Sequence, residues 1–209
     1  MIICCVLKSG GVYTPIYVDR LYKACRKFLV GDFDFVCLTD YDPEDFIPGV
    51  KTIRLKKNYP SWWSKIEAFR IEDEQVLYLD LDTVIASFIG LYNLQRLRPV
   101  AMLKPFRQQE RWASGVMYWQ GSLKFVFDEF IYAIDSRVRW DQRYISAKIE
   151  EHVITINPVQ KAIMVASYKH DCKIGVPFGT QLVCFHGYPR PHQVTSERWL
   201  DRLWRGDAN

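Results

Sequence analysis

Several absences narrow what this chain can be. No stretch approaches the roughly 20 consecutive apolar residues that a membrane-crossing helix needs. The apolar opening Met1–Leu7 has no basic lead-in and meets Lys8 too early to read as a secretory leader. The expectation is a cytoplasmic protein, with peripheral membrane contact left open. No C-x-x-C pair is present to suggest a zinc ribbon or a redox dithiol. Of the six cysteines, Cys4, Cys5, Cys37 and Cys184 sit in apolar, strand-like runs, which predicts buried reduced thiols. Internal repeats, linkers and low-complexity tracts are also lacking, so residues 1–209 read as one domain. A recognised DNA-reading motif is missing too.

What is present suits a soluble globular fold: 49% apolar and 25% charged residues exclude disorder by composition. The net charge of +4 is mild, but it is unevenly spread. Residues 51–70 carry Lys51, Arg54, Lys56, Lys57, Lys65 and Arg70 against Glu67 alone. Residues 71–90 carry Glu72, Asp73, Glu74, Asp80 and Asp82 and nothing basic. Residues 96–111 turn positive again, with Arg96, Arg98, Lys104, Arg107 and Arg111 against Glu110. Such alternation suits a site for both a metal and phosphates, and it also suits solvated faces.

The apolar, β-branched run Ile2–Leu7 predicts a buried strand, and Tyr17–Leu29 shows the spacing of an amphipathic helix. Strands follow at Phe33–Leu38 and Val50–Leu55, a helix at Ser61–Ile71, and a strand at Gln75–Leu79. This rhythm is that of an α/β unit with a mostly parallel sheet. Further strands are expected at Val100–Leu103, Gly115–Trp119, Ile154–Ile156 and Leu182–Phe185, with helices at Leu123–Ile134 and Asp141–Ile149. Trp199, Leu200, Leu203 and Trp204 form one stripe on a last helix from Ser196, its candidate N-cap, to a stop at Gly206. That stripe reads as packing against the domain, with a basic helix lying on a membrane as the alternative.

Three segments bear chemistry. Asp80-Leu81-Asp82 ends an apolar strand, and carboxylates at i and i+2 of an extended chain project to the same side. Held that close, one takes a proton unless a cation intervenes, and a divalent metal is one such cation. His186-Gly187 follows a strand and leads to Pro189-Arg190-Pro191, which offers an imidazole and a guanidinium. Ser114-Gly115-Val116 and Asp141-Gln142 are by themselves a strand start and a helix N-terminus, with Asp141 a plausible cap.

Taken in order, D-x-D, S-G-V, D-Q and a histidine before G-x-P-R-P resemble glycosyltransferases with the A-type fold, closest to family 8 and its small relatives. The resemblance spans the chain from Ile2 to Pro191. It implies a Rossmann-like, mostly parallel sheet flanked by helices, with residues 1–82 the nucleotide-binding half and 83–209 the acceptor and metal half. It also implies transfer of a sugar from a nucleotide sugar, UDP foremost, with retention. Asp80, Asp82 and His186 would hold Mn²⁺ or Mg²⁺, the mixed oxygen and nitrogen set favouring Mn²⁺. Val6 and Tyr13 would meet the base, and Lys65 and Arg190 the phosphates. Leu81, Ser114, Gly115 and Gly187 would shape the donor site, and Asp141 and Gln142 would lie against the sugar. Ala113 stands where the family has Asn, His186 and Gly187 are adjacent rather than separated, and His192 replaces a Trp. The acceptor stays open between a glycan, a lipid-linked sugar, a protein and a hydroxymethylated base in DNA, and the oligomeric state is open. A silent nucleotide- or glycan-binding module with this fold is the alternative to an enzyme.

Overall fold

The computed structural model describes residues 1–107 and 111–206, so Glu110 of the charge balance lies outside it. In chain order the strands are β1 (Ile2–Leu7), β2 (Leu29–Val30), β3 (Asp34–Thr39), β4 (Lys51–Arg54), β5 (Asp73–Leu79) and β6 (Thr83–Ile85). Then come β7 (Ile89–Gly90), β8 (Val100–Leu103), β9 (Ala113–Gly121), β10 (Ile156–Pro158), β11 (Val165–Ser167) and β12 (Leu182–Cys184). Seven of them form one sheet in the order β10-β8-β9-β5-β1-β3-β4. All neighbours run parallel except β9, which is antiparallel to β5 and β8. A small sheet of β11, β12 and β6 stands beside it.

The sheet reads as uninterrupted apolar sequence because both its faces are covered. Along β1, Ile3, Cys5 and Leu7 enter one core while Cys4 and Val6 enter the other. β5 repeats this with Leu77 and Leu79 against Val76 and Tyr78, and β9 with Val116 and Tyr118 against Met117 and Trp119. The first core is closed by the helix Pro15–Phe28, which buries Tyr17, Val18, Leu21, Cys25 and Phe28. The second is closed by the helices Ser61–Arg70 and Asp141–Glu151. All six cysteines are buried and unbridged, as expected.

Three expectations change. Ser61–Arg70 is a 3₁₀ helix rather than an α-helix, an unusual length for that form. Its consecutive residues Trp63 to Phe69 are all buried, and two of them are charged. Glu67 accepts the backbone N–H groups of Lys56 and Lys57 at 2.7 and 2.6 Å, which anchors the preceding loop. The expected helix Leu123–Ile134 breaks into Phe125–Asp128 and Tyr132–Asp135. Phe130 turns inward between Trp63 and Tyr144, and Ile131 goes extended, its N–H held by the Asp135 carboxylate at 2.7 Å. The last helix starts later, with Glu197 rather than Ser196 at the cap, and finishes as a π-turn over Asp201–Arg205. Gly206 ends it at φ +78°, where a side chain would be strained.

That terminal segment packs inward. Leu200 and Trp204 are buried, and Trp204 meets Tyr17 edge-on at 5.0 Å while Arg20 lies 4.2 Å above its ring. Leu200→Ala should cost about 2–5 kcal/mol and Trp204→Ala about 3–5 kcal/mol. Urea unfolding measures both. Unchanged stability with loss of binding to anionic vesicles would return the segment to the membrane.

Candidate active site

The carboxyl ends of β1 and β5 and the start of β9 meet at one edge of the sheet, where ligands of open α/β folds bind. There the structure gathers Val6, Tyr13, Lys65, Asp80, Leu81, Asp82, Ser114, Gly115, Asp141, Gln142, His186, Gly187 and Arg190 around one cleft of about 580 Å³. Every site residue expected from the sequence is in its wall.

Lys65 is the hub. Its Nζ lies 2.9 Å from Asp80 Oδ1, 3.2 Å from Asp141 Oδ2 and 3.0 Å from Ser114 Oγ, and Ser114 Oγ donates to Asp141 at 2.8 Å. Burial alone would push this ammonium down, but the carboxylates of Asp141 and Asp80 outweigh it and hold its pKa above the usual lysine range. An ammonium has three donors, and these three contacts engage them all. Lys65 therefore organises the site rather than facing a ligand. Asp141 is not the helix cap: Trp140 takes that position, and Asp141 opens the first turn, where its charge suits the helix dipole. A β-carbon at Gly115 would stand 3.4 Å from Asp80 Oδ2, so a side chain here grows toward the carboxylate.

Asp82 has different partners. Tyr13 donates to its Oδ2 at 2.7 Å, and Arg190 Nη1 lies 3.4 Å from the same oxygen. Tyr13, expected at a base, thus braces Asp82, and the Arg190 guanidinium sits 4.5 Å above its ring. Burial and the neighbouring Asp80 charge push the Asp82 carboxyl well above the usual carboxylate range. Among the described residues the buried Nε of Arg190 has no partner. The long contact with Arg190 thus leaves Asp82 under the repulsion of Asp80 and leaves one guanidinium N–H without an acceptor.

His186 stands at the cleft rim, with Phe106 stacked on its ring at 5.4 Å and Ser167 Oγ 2.6 Å from its Nε2. Covering of the ring, then the Lys169 charge, lowers its pKa, which favours the neutral imidazole that ligates metals. Among the described residues, no three His, Cys, Asp or Glu side chains are already drawn into a metal-sized cluster. Asp80 and Asp82 fit a divalent cation by their charge, whereas His186 is turned to Ser167. Gly187, at φ +86°, makes the tight turn that the shortened His-Gly segment requires.

No protein-family model matches the chain, and no curated protein matches it. Solved structures do resemble it. The glycosyltransferase GlyE of Streptococcus pneumoniae TIGR4 aligns with a TM-score of 0.70 at 12% identity, over 98% of this chain and 59% of that one. The galactosyltransferase LgtC, solved with donor and acceptor sugar analogues, aligns at 0.58 and 12% identity over 99% of both chains. An active-site variant of LgtC aligns at 0.62 and 11% identity, over 97% of this chain and 93% of that one. This is the A-type glycosyltransferase fold. This chain spans less than two thirds of GlyE but nearly all of LgtC.

The A-type sheet also brings in groups that sequence reading passed over. Tyr78 donates to Asp80 Oδ1 at 2.8 Å, and Ser167 positions His186. Ser9, in the loop after β1, donates to Asp40 through its N–H at 2.8 Å and its Oγ at 2.6 Å, and Lys8 pairs with the same carboxylate. A Lys-Ser-Gly-Gly turn beyond an apolar strand was the available signal, but nothing local tied it to Asp40. Although burial would raise it, the bonds from Lys8 and Ser9 hold the Asp40 carboxyl down at about 2.

Two outcomes follow. Lys65→Ala leaves Asp141 buried and unpaired, so it should lose about 3–5 kcal/mol by denaturant unfolding, whereas a solvent-facing lysine would cost about 0.5 kcal/mol or less. Because the folded pKa of Asp40 is depressed, its clamp contributes fully above the unfolded value near 4 and is lost as pH falls through about 2. Asp40→Asn should therefore lower stability by on the order of 1–2 kcal/mol at pH 6, and most of that difference should be gone at pH 2, where the folded carboxyl is half protonated. Paired unfolding curves at the two pH values measure it.

Proposed function

We propose that this chain transfers a sugar from a nucleotide sugar, with UDP as the nucleotide, to an acceptor hydroxyl with retention at the anomeric carbon. One observation carries the reading. The buried Asp82 carboxyl, pushed up by burial and by the neighbouring Asp80 charge, stands beside an Arg190 Nε–H that has no acceptor among the described residues, in one cleft. A metal-bound diphosphate would answer both, the cation easing the repulsion between the two carboxylates and the phosphates accepting from the guanidinium. Asp80 and Asp82 would hold Mn²⁺ or Mg²⁺, with His186 joining them as nitrogen donor only through Nδ1 or on leaving Ser167, and the metal would supply Lewis-acid charge at the leaving diphosphate.

The protein groups divide the remaining work. Arg190 faces the phosphates, and a well-placed cation or donor of this kind contributes about 3–4 kcal/mol to the transition state. Val6 and the Ser9–Gly11 turn wall the nucleotide end, while Gln142 and Asp141 wall the sugar end. Asp141 accepts from Ser114 and pairs with Lys65 through its Oδ2, and the ion pair lowers its strength as a base, which favours retention over inversion. The fold neighbours support this reading: GlyE and LgtC are glycosyltransferases by name. A glycan, a lipid-linked sugar or a hydroxymethylated DNA base fits it as acceptor.

Slow hydrolysis of UDP-sugars, with and without Mn²⁺, tests the proposal. One donor should release UDP in an EDTA-sensitive manner, and Asp82→Ala and Arg190→Ala should each reduce that rate about 100-fold with thermal unfolding retained. Tight UDP binding without hydrolysis of any donor would mark a silent binding module instead.

A further inference from the structure

Beside the donor cleft lies a second cavity of about 560 Å³, and the two share Leu103, Ala113, Trp140, Gln142 and His186 as their common wall. A group seated in the second cavity therefore reaches the sugar end of the first. Ala113 puts only a methyl group on this wall. The rest of the lining combines Phe106 and Trp112 with the guanidinium groups of Arg107, Arg111 and Arg143, and Trp140 of the common wall adds a third ring.

These three arginines are exposed, and among the described residues none of them is paired with a carboxylate. The nearby acids are engaged elsewhere: Glu150 accepts from Trp112 Nε1 at 3.2 Å, and Asp171 from the Ser167 N–H at 2.7 Å. Elsewhere on the surface some cations are answered locally, as Lys148 is by Glu129 and Glu151, and Lys124 by Asp128; what sets these three apart is that they line one cavity. Three guanidinium groups that have no carboxylate partner among the described residues, gathered around one concavity, attract a dianion, and arginine matches phosphate oxygens in pairs.

We propose that this cavity receives the acceptor and that the acceptor is a sugar unit carrying a phosphate ester, its ring against Trp112 and Trp140 and its phosphate among Arg107, Arg111 and Arg143. The assignment rests on the transferase reading of the neighbouring cleft. In the transfer, an acceptor hydroxyl oxygen bonds to the anomeric carbon as the bond from that carbon to the diphosphate oxygen breaks. The electron pair leaves with the nucleoside diphosphate, which also takes the hydroxyl proton. A glycan phosphate suits this cavity better than a nucleic-acid strand. The cavity has the dimensions of a small-ligand site, whereas strand binders line a groove of about 4–16 nucleotides.

The test pairs binding with turnover. Calorimetric titrations of the whole chain would use glucose 6-phosphate and N-acetylglucosamine 1-phosphate against glucose and N-acetylglucosamine, with a ten-nucleotide oligothymidylate as a third arm. The same sugars would serve as acceptors with the UDP-sugar that is hydrolysed. Phosphorylated sugars should bind about tenfold or more tightly than their neutral partners, weaken with added salt, and lose that preference in the triple variant Arg107→Gln, Arg111→Gln, Arg143→Gln. The variant should raise KM for phosphorylated acceptors about tenfold while shifting KM for neutral ones less than twofold, with partial rescue by Arg143→Lys. Equal binding of neutral sugars, or a preference that survives the triple substitution, overturns the proposal. Tighter binding of the oligonucleotide than of any sugar phosphate, lost in the same variant, overturns it in favour of a strand. Donor hydrolysis that persists without any phosphate preference defeats this assignment alone. Phosphate preference without hydrolysis of any donor defeats the transferase reading, and the anion cavity stands.

Discussion

The ammonium of Lys65, buried between Asp80, Asp141 and Ser114, is the interaction on which the site depends. It joins four separate parts of the chain: the 3₁₀ helix Ser61–Arg70, the end of β5, the start of β9 and the first turn of Asp141–Glu151. A charge at this depth is tolerated only because oppositely charged groups and a hydroxyl answer each of its donors. The carboxylates gain as much. Asp141 keeps its charge at a buried position in the cleft wall, and Asp80 is held by Lys65 while Asp82 is held by Tyr13 and Arg190.

Around that hub the sheet does the placing. Both faces of the central strands are packed, so polar groups can appear only where strands end. At their carboxyl edge β1 runs out into Lys8 and Ser9, β3 into Asp40, and β5 into Asp80 and Asp82. The turn after β1 is fastened to Asp40, and the late segment bearing His186, Gly187 and Arg190 comes in over the small sheet of β11, β12 and β6. The cleft is thus a rim feature of an apolar sheet, with a cationic cavity next to it.

Legibility in the sequence followed the range of the forces involved. β1, β8 and the helix Pro15–Phe28 were readable because apolar runs and a 3.6-residue period depend on neighbours in the chain. Leu123–Ile134 misled because Leu123, Val126 and Phe130 fall at i, i+3 and i+7, the spacing of one helical face. Phe130 is claimed by Trp63 and Tyr144, residues distant in sequence, and the helix breaks to deliver it. The tight 3₁₀ winding of Ser61–Arg70 and the π-turn at Asp201–Arg205 have no local signature either.

The sequence by itself determined the alternating α/β order and the burial of the thiols, because residue type and spacing are local facts, and the order of its motifs, through the resemblance it carries, pointed to the residues in the cleft. Tertiary structure alone decided what those residues do to one another. Lys65 looked like a cation for a ligand and is an internal counter-ion. Asp141 looked like a helix cap and is a buried partner of Lys65, and Tyr13 braces a carboxylate. The reason is physical: a charged group's role depends on the few ångströms around it and on its access to water. Both are settled only when residues 13, 65, 82, 114, 141 and 190 are folded against one another.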